Sequence, residues 1–153
     1  MKPRRLKSSG FTLVELVITI IIIGVLSLTA LPRFFRSGFG EASLRDQLIA
    51  AMQLVQNQNM HHRSRHFCLQ LQSDNYFKGE WFSDSVTCVR SGESFDYPNG
   101  TRVSTTGAIL FTRLGEVHSD STFCLPAGCE ITVSGSGSAA LAISSVGLVY
   151  AVD

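Results

Sequence analysis

No catalytic signature interrupts this chain: it has no Gly-x-Ser-x-Gly elbow, no Walker glycine loop, no dinucleotide fingerprint and no paired metal motif. Neither an enzyme nor a cofactor is expected from it. Charge is scarce as well, with charged residues at 16% and a formal net charge of +1, so there is no basic excess to recruit a nucleic acid. Internal repeats are missing, and tryptophan occurs once. The two most telling absences are local. The first ten residues contain no acid, and residues 11–31 contain no charge except Glu15.

What stands in those gaps is a leader carrying Lys2, Arg4, Arg5 and Lys7, followed by a long apolar run. The positive-inside bias keeps such a leader in the cytoplasm and places everything after the run across the membrane. At 1.5 Å per residue, residues 11–31 span roughly 30 Å, one hydrocarbon core. An acid in the middle of such a helix costs on the order of 3 kcal/mol and less near an interface. Glu15 therefore calls for a cationic partner, or for a place in the headgroup layer at a helix N-terminus. An ordinary signal peptide cut after Ala30 fits poorly, because its apolar region would be shorter and free of acids. Arg4-Arg5 is followed by Leu-Lys-Ser-Ser where a twin-arginine signal turns apolar. An uncleaved signal anchor explains the hydrophobicity and the leader charge, but not the order Gly-Phe-Thr-Leu-Val-Glu.

That order, Ser9-Gly10 followed by Phe11-Thr12-Leu13-Val14-Glu15-Leu16 and an apolar helix reaching Pro32, resembles the type IV prepilins and the related type II secretion pseudopilins. The resemblance implies cleavage between Gly10 and Phe11 by a membrane prepilin peptidase that also N-methylates Phe11. It implies further that Glu15 meets the new α-ammonium of a neighbouring subunit and so sets subunit register. Gly24 and Pro32 occupy places where helices of this family loosen within the filament. Residues 30–35, 44–49 and 54–56 look most like a minor pilin of the mannose-sensitive haemagglutinin (MSHA) type of pilus. The expected partners are the prepilin peptidase, other major and minor pilins and the inner-membrane pilus assembly machinery. The expected role is structural, in filament assembly or its priming, with adhesion as an added role. The expected location is the inner membrane in a single pass with the C-terminus periplasmic, then the pilus at the cell surface. A secretion or DNA-uptake pseudopilin stays open as an alternative, and so does a signal-anchored periplasmic binding module that needs neither cleavage nor Glu15.

The expected fold class is α+β: a long apolar helix continuing into an amphipathic helix packed on a C-terminal antiparallel β-sheet domain. The expected segments are a cleaved leader over 1-10, a transmembrane and assembly helix over 11-32, a hinge and amphipathic helix over 33-66, and a periplasmic β-sheet domain with four cysteines over 67-153. Arg33 and Arg36 flank aromatics at the hinge. Ser43-x-x-Asp46 reads as a cap, and Leu44, Leu48, Ala51, Met52 and Val55 form one helical face running to about His62. Beyond it, short alternating runs predict strands at 67–72, 81–83, 86–90, 101–104, 108–112, 121–124, 130–133, 140–143 and 148–152. Residues 108–117 and 140–149 each read as strand, glycine turn and second strand.

Cys68, Cys88, Cys124 and Cys129 all lie beyond the membrane, where an even number predicts two disulfides with three possible connectivities. Cys124 with Cys129 and Cys68 with Cys88 is the favoured pairing. The spacing lacks the close Cys-x-x-Cys of a zinc site, even with His118. In residues 61–66, His62 and His66 fall one turn apart if the helix continues. Arg63 and Arg65 give only a thin basic patch, and a solvated helix C-terminus is the plainer reading. Tyr76, Phe77, Trp81 and Phe82 are expected in the core before any exposed binding surface.

Overall fold

The computed structural model describes residues 11–34, 39–82, 87–98 and 100–152. The expected leader, Gly10 included, and residues 35–38 of the expected hinge lie outside the described residues. The chain divides into two units, Met1–Arg36 and Ser37–Asp153.

The first unit is one helix, α1, Leu13–Phe34. Its Ile- and Val-rich sequence has modest helix propensity in water, but a helix satisfies its own backbone and is one of the few states open to a chain in lipid. The helix is continuous through Gly24 and Pro32. Its hydroxyls close on the backbone of the preceding turn, Thr19 Oγ1 donating to Leu16 O at 2.8 Å and Ser27 Oγ to Ile23 O at 2.8 Å.

The second unit is built on α2, Phe39–His61. Alanine, leucine, glutamine and methionine carry the helix, and it stops at the His-Arg-Ser-Arg turn that leads into the first strand. Eight strands follow: β1 His66–Leu71, β2 Asn75–Phe82, β3 Thr87–Asp96, β4 Arg102–Val103, β5 Gly107–Leu110, β6 Gly128–Ser134, β7 Ser138–Ser144 and β8 Val149–Val152. They form two antiparallel four-stranded sheets, ordered β3-β2-β1-β5 and β4-β6-β7-β8. The expected α+β fold, a helix packed on antiparallel sheet, is the observed one.

The core lies where α2 meets both sheets. Leu44, Leu48, Met52 and Val55 are each 0% exposed. They pack with Phe67, Leu69 and Leu71 of β1 and with Ile131, Leu141 and Ile143 of β6 and β7. The register of the second sheet, Ile131 opposite Leu141, keeps its buried residues on one face. A second cluster forms around Cys68, Trp81, Ala108 and Leu110. Tyr76, Phe77 and Trp81 are buried, whereas Phe82 is exposed.

Several local expectations change. Ser43-x-x-Asp46 lies inside α2 and caps nothing; Asp46 pairs with Arg45 at 2.9 Å and Ser43 Oγ accepts from Gln47 Nε2 at 3.3 Å. Strand β2 begins at Asn75 instead of 81, because the Lys-Gly-Glu that hides its alternation sits at an irregularity in the β2–β3 register, between Phe77 and Gly79. Gly79 is there for space: a Cβ would come within 2.4 Å of Val89 O and 2.8 Å of Cys88 Sγ. Residues 121–124 form no strand. Ser121 and Thr122 instead satisfy the free edge of β5 with hydroxyls, Leu110 N donating to Ser121 Oγ at 3.1 Å and Ala108 N to Thr122 Oγ1 at 2.7 Å. The second arm of the expected 108–117 hairpin is reduced to a single bridge between Phe111 and Val117.

Candidate functional site

The first candidate is the start of α1. Phe11 is 75% exposed, and the helix is opened by Thr12, whose Oγ1 accepts from Glu15 N at 3.2 Å while its carbonyl accepts from Leu16 N at 3.2 Å. Thr12-x-x-Glu15 is thus the capping signature of this helix, a signal legible in the sequence. Glu15 falls in the first turn, where the helix dipole favours a carboxylate. Every described side chain from Phe11 to Ser27 is exposed, and no cation pairs with Glu15 among the described residues. A helix that closes its own hydroxyls and exposes an apolar surface on all sides is not built for water; it needs lipid or other helices around it. Among the described residues no helix is long and apolar enough to cross a membrane.

The second candidate is the set of polar side chains that fix α2 on its sheets. Glu41, 1% exposed, opens the helix against the β6–β7 turn, where its Oε1 accepts from Gly137 N at 2.8 Å and Ser136 Oγ at 3.3 Å. The Gly137 N–H above all, then the residue's own N–H, hold the Glu41 carboxyl below its usual range, against the opposing effect of burial and with help from Ser136. Asn59, 1% exposed, pairs both backbone groups of Phe67: its Nδ2 donates to Phe67 O at 2.8 Å and its Oδ1 accepts from Phe67 N at 2.6 Å. Between them Gln56 Nε2 donates to Gly115 O at 2.6 Å and Gly147 O at 2.9 Å. Sequence reasoning read this helix as an apolar stripe and passed over all three.

The two glycines belong to turns of one design. Gly115 N donates to Thr112 O at 3.0 Å and Gly147 N to Ser144 O at 2.9 Å, with positive φ of 86° and 81°. In each, the hydroxyl of the first turn residue accepts from backbone further on, Thr112 Oγ1 from Leu114 N at 3.2 Å and Ser144 Oγ from Leu148 N at 3.0 Å. The turns touch, for a Cβ on Gly147 would fall 1.8 Å from Gly115 O. Residues 108–117 and 140–149 are thereby joined through Gln56.

Glu41 gives a pH test. Because its carboxyl takes up a proton less readily in the folded chain than in the unfolded one, the unfolded chain binds more protons as pH falls. Its stabilising contribution is complete above about pH 4.3 and is lost as pH falls through the lower folded value. Thermal melts between pH 6 and 3 should show a steeper acid loss for the native chain than for Glu41→Gln, which keeps the acceptor and cannot titrate. Equal slopes would remove the carboxylate from this role.

The cysteines pair as Cys68–Cys88 and Cys124–Cys129, with Cα separations of 5.9 and 5.3 Å, and no described cysteine is free. On chain-entropy grounds the first closes the longer loop and contributes about 3 kcal/mol, the second about 2 kcal/mol. Helix α2 ends at His61 and His66 opens β1, so His62 and His66 do not share a helix face. His62 lies edge-on to Phe67 at 5.3 Å, Arg65 pairs with Glu80 at 3.2 Å, and Arg113 donates to the Arg63 carbonyl. Among the described residues no cluster of three or more His, Cys, Asp or Glu could hold a metal.

A helix sheathed in exposed apolar side chains and a second helix packed on antiparallel sheet make the pilin fold, and residues 5–31 match the prokaryotic N-terminal methylation motif. Among solved structures, the type IV minor pilin FimU of Pseudomonas aeruginosa strain PAO1 is similar in two crystal forms. One has a TM-score of 0.58 at 16% identity, covering 74% of this chain and 88% of that one. The other has a TM-score of 0.56 at 16% identity, covering 73% and 92%. Comparison with curated proteins gives no match.

Proposed function

We infer that this chain is a minor type IV pilin. In this reading residues 1-10 form a cytoplasmic leader, cleavage falls between Gly10 and Phe11, and Phe11 is N-methylated. Residues 11-32 first hold the subunit in the inner membrane and then carry it into a filament, and residues 67-153 lie in the periplasm until assembly. The observation that carries the reading is the start of α1. The helix is capped by Thr12, is apolar and exposed at every described side chain to Ser27, and has its single acid one turn from Phe11, where this reading puts methylation. A carboxylate in lipid is costly alone and neutralised when paired, so the α-ammonium of a neighbour opposite Glu15 would favour one stagger over others. Gly24 and Pro32, continuous with the helix here, would loosen it in the assembled filament, since glycine weakens a helix and proline removes a hydrogen bond. The assignment to the MSHA type rests on the sequence resemblance, and its test is recovery of the subunit in sheared filaments of that type.

The direct test is the intact mass and N-terminal peptide of membrane-extracted protein, produced with and without a prepilin peptidase. N-methylated Phe11 is the expected result under active peptidase. A start at Met1 under the same conditions, or at Leu31, overturns the assignment in favour of an anchored or secreted β-domain. Glu15→Ala should leave the subunit stable in the membrane and remove it from sheared filaments. Incorporation at the native level would take the register role from Glu15.

A further inference from the structure

The four-stranded sheet β3-β2-β1-β5 is wider than the helix that covers it, and α2 packs on it through β1. Beyond β1 the face of this sheet continues into Tyr76 and Lys78 of β2 and Phe95 of β3. The helix meets this extension with Ala50 and Ala51, side chains too short to fill the step. The result is a groove of about 310 Å³, lined by Ala50, Leu54, Leu69, Tyr76, Phe95 and Lys78 among others. That is the low end of the range for small-ligand sites, enough for an aromatic ring and a short chain. Phe95 stacks on Tyr76 with centroids 5.3 Å apart, and Tyr76 on Tyr97 at 6.3 Å, which gives the wall an aromatic surface.

The polar content of the groove is small and of one kind. Gln47 is the other polar lining residue besides the tyrosine hydroxyl, and Lys78 is the one charged residue in the lining. The Lys78 ammonium lies 5.3 Å from the Phe67 ring centroid and donates to Gln58 Oε1 at 3.3 Å. No carboxylate pairs with it among the described residues. The ammonium thus sits at the rim, on two residues outside the lining, and an apolar concavity with one cation at its edge suits a ligand with an apolar body and one negative end that reaches that edge.

We propose that this groove between α2 and the β2–β3 face binds a small organic acid with an aromatic or alkyl body, the body lying against Tyr76, Phe95 and Ala50 and the carboxylate on Lys78. The site belongs to the globular unit alone, and the proposal does not rest on the reading of the chain as a pilin.

The test uses the full chain in detergent, isotopically labelled, titrated with 3-phenylpropionate and with its neutral amide while the backbone resonances of Ala50, Lys78 and Phe95 are followed. The acid should bind at least fivefold more tightly than the amide. Lys78→Met should bring the two to the same affinity, and Ala50→Phe, a change at an exposed helix position, should abolish both while leaving the melting curve in place. The proposal is overturned if neither compound shifts those resonances, if acid and amide bind alike to the native chain, or if binding survives Ala50→Phe. A peptide ending in phenylalanine with a free carboxylate that binds fivefold more tightly than the small acid overturns it in favour of a protein terminus.

Discussion

Replacing Asn59 with alanine is expected to lower the melting temperature of the globular unit by about 10 °C or more. The substitution removes the partner of both Phe67 N–H and Phe67 C=O at a place where Asn59 and Phe67 are buried, so water does not readily replace it. Each orphaned buried group costs about 1–3 kcal/mol, so two of them make about 2–6 kcal/mol the expectation. For a domain of this size each kcal/mol moves the midpoint by several degrees. Asn59→Asp separates the two halves of the interaction. Its ionised carboxylate still accepts from Phe67 N–H but faces the Phe67 carbonyl with a second acceptor, whereas the protonated acid can donate to it. That variant should therefore recover part of its deficit as pH is lowered, a trend opposite to the one expected from Glu41. A shift of under 2 °C for Asn59→Ala, read by near-ultraviolet circular dichroism, would mean that β1 does not depend on this side chain.

Gly147→Ala should be the most damaging glycine substitution of the second sheet, costing at least about 3 kcal/mol. Two effects add: a positive φ of 81°, and a Cβ placed 1.8 Å from Gly115 O, a backbone atom that cannot swing aside. Gly100 isolates the first effect, since its φ is also 81° but nothing lies within 4 Å of the added Cβ. Gly100→Ala should cost about 1 kcal/mol, the ordinary penalty for a side chain in the left-handed region. The difference between the two variants measures how closely the twin turns approach. Equal melting temperatures for the two alanine variants would show that the turns separate at little cost.

How much of this was legible in the sequence follows from the kind of signal each part leaves. The long apolar run, the helix after it and the β-rich remainder are written in hydrophobic period, which one sequence displays directly. The stripe Leu44, Leu48, Met52 and Val55 is an example, all four being fully buried. Strand β2 was obscured because Gly79 and its charged neighbours break the alternation for a reason that lies on another strand, the Cys88 sulfur and the Val89 carbonyl. Ser121 and Thr122 resemble a strand in sequence for a related reason. Their pattern fits a strand, but apart from one backbone bond, Thr122 N to Ala108 O at 2.9 Å, their hydroxyls do the work that a strand backbone would have done. Glu41, Gln56 and Asn59 left no trace at all, because an amide or acid on a helix says nothing of the carbonyl or N–H it will meet 8 to 96 residues away. At the start of α1 the position is reversed: Thr12, Glu15 and the charge asymmetry all act within a few residues, so the local sequence holds most of that site.

The three polar attachments of α2 have a mechanical consequence. An apolar stripe resists separation from a sheet but offers little resistance to sliding along it, because hydrophobic contact has no direction. Glu41 and Asn59 act as pegs roughly 27 Å apart at 1.5 Å per residue, and Gln56 engages two turns between them. A pull along the helix axis loads these hydrogen bonds together, in shear and on both sheets, instead of opening them one after another as peeling would. The helix therefore works as a keyed shaft in the β-domain, and tension applied at its amino end is carried into both sheets before the join gives way in a single event.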